Sequence, residues 1–242
     1  ERVLDAASTR NIQIKQFDIM QYEWGAAHER RVLLVHGWEG QAGNFAALIH
    51  PLLEMDYRIL AFDAPAHGRS SKEHKTNMFE FIDFLAQQVR QFNPDVIISH
   101  SFGSVQTASI FRKYPDLSVS KWFAITTPFA FQDYINGVTQ FFGISKQVER
   151  KLIQRLERQL GESMHDATMQ NYAKTLQNIG DILIAHSKSD KILNIEGARK
   201  THQAFKQSRL VELNNMGHYR ILWSDEILEL LGNYLAPTVT TE

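Results

Sequence analysis

Apolar positions along this chain change period several times, and each change marks an element. Residues 11–17 alternate, with Ile12 and Ile14 on one side, and residues 20–24 can pair with them as an antiparallel hairpin. Residues 31–35, with Val-Leu-Leu-Val from 32 onward, are apolar on both faces, as expected of a strand covered by helices on either side. Asn44 precedes Phe45, Leu48, Ile49, Leu52 and Leu53 at helical spacing, which predicts a helix capped by that asparagine. Residues 57–62 form the next buried strand. A helix from about Asn77 carries Met78, Phe81, Ile82, Leu85 and Val89; a strand at 95–100, a helix at 105–114 and a strand at 121–126 follow. Strands alternating with helices in this way predict an α/β chain with a doubly wound, mostly parallel sheet.

The alternation breaks between 129 and 178. That stretch is strand-poor and too long for an ordinary loop. Within it Val148, Leu152, Leu156 and Leu160 recur every fourth residue, joined by Ile153 and separated by charged residues, so an amphipathic helix is expected. The segment reads as a helical insertion over one end of the sheet. The pattern resumes with a strand at 181–185, a helix at 195–205, a strand at 209–213 and a helix at 224–234; the tail after Pro237 reads as frayed. The expected organisation is a core of 1–128 and 179–242 interrupted by the insertion at 129–178.

Composition narrows the function classes. A chain of 242 residues, 43% hydrophobic, can bury one sizeable core. Its formal net charge of -1, with no basic stripe interleaved with aromatics, speaks against a nucleic-acid partner. Cysteine is absent, so disulfides and thiolate metal sites are excluded. The histidines show no H-E-x-x-H or similar spacing, and neither a metal nor another cofactor is expected. No apolar run is long enough to span a bilayer, and the first residues lack the apolar core of a signal peptide. A cytoplasmic protein is expected, although the sequence begins without Met and residues upstream can be missing.

The candidate chemistry gathers at strand ends. The run Val96-Ile97-Ile98-Ser99-His100 leads into Ser101-Phe102-Gly103-Ser104 and then a helix, so Ser101 sits at the apex of a sharp strand-to-helix turn. Such a turn needs small residues two before and two after the serine, and Ser99 and Gly103 are small. A serine hydroxyl is a weak nucleophile and needs a base, which needs an orienting acid. Two later strand ends carry candidates: Asp190 after residues 181–185, and Gly217-His218 after residues 209–213. Asp133 is a rival for the acid.

The order Ser101, Asp190, His218, each at a strand end, resembles the catalytic triad of the α/β-hydrolase fold superfamily, over about residues 11–235. His36-Gly37-Trp38 is similar to that family's oxyanion loop. Asp63-x-Pro65-x-His67-Gly68-x-Ser70 resembles its D-x-P-G-x-G-x-S segment, with Ala66 in place of glycine. Ser99 also replaces the usual glycine of G-x-S-x-G. The resemblance implies an oxyanion hole built from the backbone N–H groups of Trp38 and Phe102, and a helical cap at 129–178. Phe102 also follows from its place at a helix N-terminus, where an N–H is free. His36, Asp63 and His67 are expected to brace the loops. Phe129, Phe141 and Phe142 are candidates for an apolar substrate pocket, and Trp38 for a pocket wall.

The leading expectation is a carboxylesterase- or thioesterase-like serine hydrolase acting on a small-molecule ester or thioester with an apolar acyl group. A serine at the elbow argues against the dehalogenases and epoxide hydrolases of this fold, which place Asp there. Peptidase, acyltransferase, carbon–carbon hydrolase and cofactor-free peroxidase activities share the triad, and a non-catalytic ligand-binding member shares the fold.

Overall fold

The computed structural model describes residues 2–71, 76, 78–160, 163–164 and 166–236. Eight strands form one sheet in the order β1-β2-β4-β3-β5-β6-β7-β8. They are β1 (Ser8–Ile14), β2 (Phe17–Trp24), β3 (Arg30–Val35), β4 (Tyr57–Phe62), β5 (Val96–His100), β6 (Val119–Ile125), β7 (Ile179–Ser187) and β8 (Ser208–Leu213). β1 and β2 form an antiparallel hairpin and β2 pairs antiparallel with β4; every later pairing is parallel. Phe17 belongs to the second strand of the hairpin and pairs with Ile14.

The helices are α1 (Arg2–Asp5), α2 (Ala46–Glu54), α3 (Met78–Phe92), α4 (Phe102–Lys113), α5 (Phe131–Phe141), α6 (Lys146–Leu160), α7 (Met169–Ala173), α8 (Ile195–Ala204) and α9 (Asp225–Leu235). Strands apolar on both faces feed two cores. Leu33, Val35 and Ile97 point into one with residues of α3, α4 and α8; Val32, Leu34 and Ile98 point into the other with residues of α2 and α9. Successive residues of one strand thus serve opposite layers, which is why these strands lack a polar face.

Three details depart from the sequence pattern. Asn44 does not cap α2. It lies within a 3-10 turn (Ala42–Phe45), and its side chain accepts from the Gln41 N–H at 2.7 Å. A second 3-10 turn (Arg220–Trp223) precedes α9 and has no strong periodic signal. The apolar stripe of α6 packs only in part: Ile153 and Leu156 lie against the core, whereas Val148 and Leu152 are exposed. Fourth-residue spacing advances about 40° per step on a helix of 3.6 residues per turn, so such a stripe winds off the buried face. Asn77, the side chains of Met78 and Leu160, and the tail after Pro237 lie outside the described residues.

Between β6 and β7 the chain holds α5, α6 and α7 and one isolated bridge joining Ala130 to Thr168. Among the described residues no helix is long and apolar enough to cross a membrane.

Candidate active site

β5 lies in the middle of the sheet, between β3 and β6, and leads directly into Ser101. Ser101 has φ 54° and ψ -123°, backbone geometry that residues with side chains adopt only when their surroundings impose it. Here the Ser101 N–H donates to the Ile125 carbonyl at 2.9 Å, and the Ser104 N–H donates back to the Ser101 carbonyl at 2.9 Å. Gly103 is obligatory. A Cβ there would stand 2.4 Å from the Val35 carbonyl oxygen and 2.7 Å from that of His36. At the other flank, Ser99 fits where the family has glycine because its hydroxyl is used: it accepts from Trp122 Nε1 at 2.8 Å and shares a hydrogen bond with Ser104 Oγ at 2.9 Å.

Three strand ends converge. His218 Nε2 lies 2.9 Å from Ser101 Oγ, and His218 Nδ1 lies 2.7 Å from Asp190 Oδ2. The other oxygen of Asp190 accepts from the backbone N–H groups of Ile192 at 2.8 Å and Leu193 at 3.0 Å. Burial works to raise the Asp190 pKa. The hydrogen bond and charge of His218 and the two N–H donors outweigh it and hold the carboxyl below its ordinary value. A carboxylate aimed at Nδ1 requires N–H there, which leaves Nε2 as the lone pair facing Ser101 Oγ. Asp133 is elsewhere: its carboxylate accepts from the Ala130 N–H at 3.2 Å at the start of α5.

The backbone after β3 passes beside the elbow. A Cβ on Gly37 would lie 3.0 Å from Ser101 Cβ and 3.4 Å from the Phe102 nitrogen. Phe102 is the first residue of α4, so its N–H has no intrahelical acceptor, and among the described residues neither Phe102 nor Trp38 finds an acceptor for its backbone N–H. The Trp38 indole meets the Phe102 ring edge-on at 6.0 Å.

Bracing groups surround this loop. His36 Nδ1 donates to the Gly37 carbonyl at 2.7 Å, and its Nε2 accepts from the Ala64 N–H at 2.9 Å. Burial pulls the His36 pKa from 6.5 to about 4, so it is a neutral clamp between the loops after β3 and β4. Asp63 holds the second loop by accepting from the N–H groups of Ala42 at 2.8 Å and Arg69 at 2.7 Å. Ala66, where the family has glycine, takes φ 62°. His67 Nδ1 donates to the Pro65 carbonyl at 2.8 Å.

The sequence pattern gives no role to His100, although it adjoins Ser101. Its Nε2 donates to the backbone carbonyl of His218 at 2.9 Å, and the two rings lie 4.9 Å apart. Burial, and then the charge of His218, pulls its pKa down to about 3. His186, which the sequence pattern gives no role, is buried, and its Nε2 donates to the Leu193 carbonyl at 3.0 Å, which steadies the loop that carries Asp190.

A cleft of about 520 Å³ opens beside His218, with Phe141, Ile192, Met216 and Tyr219 among its walls. Of the three aromatics expected in a pocket, only Phe141 lines this cleft. Phe142 is 67% exposed and projects into solvent. Phe129 packs toward α8, where Lys200 Nζ lies 5.7 Å from its ring centroid. Among the described residues no three His, Cys, Asp or Glu side chains are grouped to hold a metal ion.

The sequence profile of the alpha/beta hydrolase fold matches residues 30–137. A serine hydrolase-like protein of Danio rerio is 32% identical over 117 residues, which cover 46% of this chain and 36% of that protein. A serine hydrolase-like protein of Homo sapiens is 32% identical over 111 residues, covering 43% of this chain and 53% of that protein. The chain therefore spans between about a third and about half the length of these relatives. Among solved structures, a thioesterase domain from the curacin biosynthetic pathway superposes with a TM-score of 0.69 at 16% identity, covering 96% of this chain and all of that domain; this likeness concerns the fold alone. Over residues 30–137 the chain is thus similar to the alpha/beta hydrolase fold, and the superposition extends that likeness of fold across the rest of the chain.

Proposed function

We propose that this chain is a serine hydrolase that cleaves an ester or thioester of a small apolar-acyl substrate through an acyl-Ser101 intermediate. One observation carries the reading: the unbroken chain from Ser101 Oγ through His218 to Asp190, with contacts of 2.9 and 2.7 Å. Ser101 Oγ attacks the acyl carbon while His218 Nε2 takes the hydroxyl proton. The oxyanion meets the backbone N–H groups of Trp38 and Phe102. Collapse breaks the bond to the leaving alcohol or thiol, which receives the proton from His218. Water then attacks the acyl-enzyme with His218 again as base, releasing the acid and restoring Ser101. Asp190 keeps the imidazole in its working tautomer and stabilises it when charged. The insertion at 129–178 serves as a cap, with Phe141 placed to touch the acyl group.

A fluorophosphonate probe should label Ser101 alone, and p-nitrophenyl esters should be turned over. Ser101→Ala should lower kcat by about 10⁶, by analogy with triad deletion in another hydrolase. Labelling at a different serine, or full activity in the Ala variant, would refute the mechanism.

A further inference from the structure

Among the described residues seven large apolar side chains are exposed, and five of them fall in one short stretch: Phe141, Phe142, Ile144, Val148 and Leu152. Solitary exposed apolar residues are ordinary, whereas a contiguous group marks a contact surface. The stretch is the turn from α5 into the first half of α6. It projects: Gly143, at φ 65°, has nothing within 4 Å of where a Cβ would stand.

Charge says what the surface meets. α6 carries Lys146, Arg150, Lys151, Arg155 and Arg158 against Glu149 and Glu157, a net +3 in a chain whose total is -1. The two acids face inward. Glu149 is buried and bonded to Thr139 Oγ1 at 2.6 Å and Lys146 Nζ at 2.9 Å; Glu157 accepts from the Met164 N–H at 3.0 Å. All five cations are exposed. At 100° per residue, Lys151, Leu152 and Arg155 all fall within about 60° of Val148 around the helix, so cations and apolar side chains share one edge.

We propose that this edge of α6 and the turn before it dock on the surface of an anionic lipid bilayer. A convex apolar tip rimmed by cations can sink among acyl chains while lysines and arginines meet anionic headgroups. A second copy of the chain fits less well. A two-fold contact would bring Lys151 and Arg155 of one copy against the same cations of the other. The orientation also has a use, because Phe141 belongs both to this tip and to the cleft beside His218. Docking would turn that cleft toward the bilayer. The proposal does not depend on hydrolysis, since binding is read directly.

Sedimentation of the full chain with vesicles of phosphatidylcholine containing about 30 mol% phosphatidylglycerol tests it. The chain should pellet with these vesicles at low salt, and not with pure phosphatidylcholine. Lys151→Gln with Arg155→Gln should weaken partitioning about fivefold per cation removed. Val148→Ser with Leu152→Ser should weaken it further, with turnover of a water-soluble acetyl ester unchanged in both variants. Equal binding to both vesicle types, or binding unaffected by either double substitution, overturns the proposal. So does an absence of binding together with a dimer in gel filtration that Val148→Ser with Leu152→Ser dissolves, since the partner is then a second copy.

Discussion

The two oxygens of Asp190 have separate duties. Oδ2 faces His218 Nδ1, while Oδ1 gathers the N–H groups of Ile192 and Leu193 and so shapes the loop that presents it. Asn at this position can keep Oδ1 on the loop and thereby keep the fold. Its amide then points N–H at Nδ1, which favours the tautomer with the proton on Nε2, where the lone pair is needed. Asp190→Asn should therefore lower kcat by about 10⁴ with little change in thermal midpoint. Asp133→Asn, which touches only the start of α5, should leave kcat within about threefold. Steady-state ester hydrolysis with circular dichroism melting checks both; equal losses in the two variants would remove Asp190 from its role.

At the level of elements, the turn from β5 to α4 is where local and global demands meet. Gly103 answers the close approach of β3, and Ser99 answers a different need, the indole N–H of Trp122 on β6. Placing the family's usual glycine at 99 would leave that N–H buried without an acceptor, at a cost of about 1–3 kcal/mol. Ser99→Gly should thus lower stability to urea by that amount while kcat stays within about tenfold. A variant as stable as the parent would mean that Trp122 finds another acceptor. This pair also explains what a reader of the bare sequence can and cannot see. Strands such as β3, β4 and β5 are legible because continuous apolar runs report burial on both faces. That Ser101, Asp190 and His218 meet is legible because strand order and strand ends can be counted without coordinates. The partner of Ser99 cannot be read in that way, since Trp122 is on a neighbouring strand and the contact depends on its rotamer. The α6 stripe misled for a geometric reason: its drift takes Val148 and Leu152 out of the interface that Ile153 and Leu156 enter. The expected pocket residue Phe142 stands just past the end of α5 and is exposed, leaving Phe141 at the cleft wall.

Across the whole molecule, three histidines are built in as neutral hydrogen-bonding parts. His36 joins the loops after β3 and β4, His100 holds the His218 backbone, and His186 holds the loop of Asp190. Burial is the leading cause of a lowered pKa in all three, to about 4 for His36 and about 3 for His100. In the unfolded chain they titrate near the ordinary value of 6.5. The unfolded state therefore binds protons before the folded state does. Their contribution to stability is complete above about pH 6.5 and is lost as pH falls toward the folded values. Each such group adds a slope of about 1.4 kcal/mol per pH unit inside that window. Two of them should make the protein about 2–4 kcal/mol less stable at pH 5 than at pH 7, before carboxylates begin to protonate. Urea unfolding at the two pH values measures the difference directly. His100→Gln, which can still donate toward the His218 carbonyl but does not titrate, should remove part of that slope. Stability that is flat between pH 7 and pH 5 would mean that these imidazoles are hydrated in the folded protein and that the loops around Ser101 are looser than their hydrogen bonds imply.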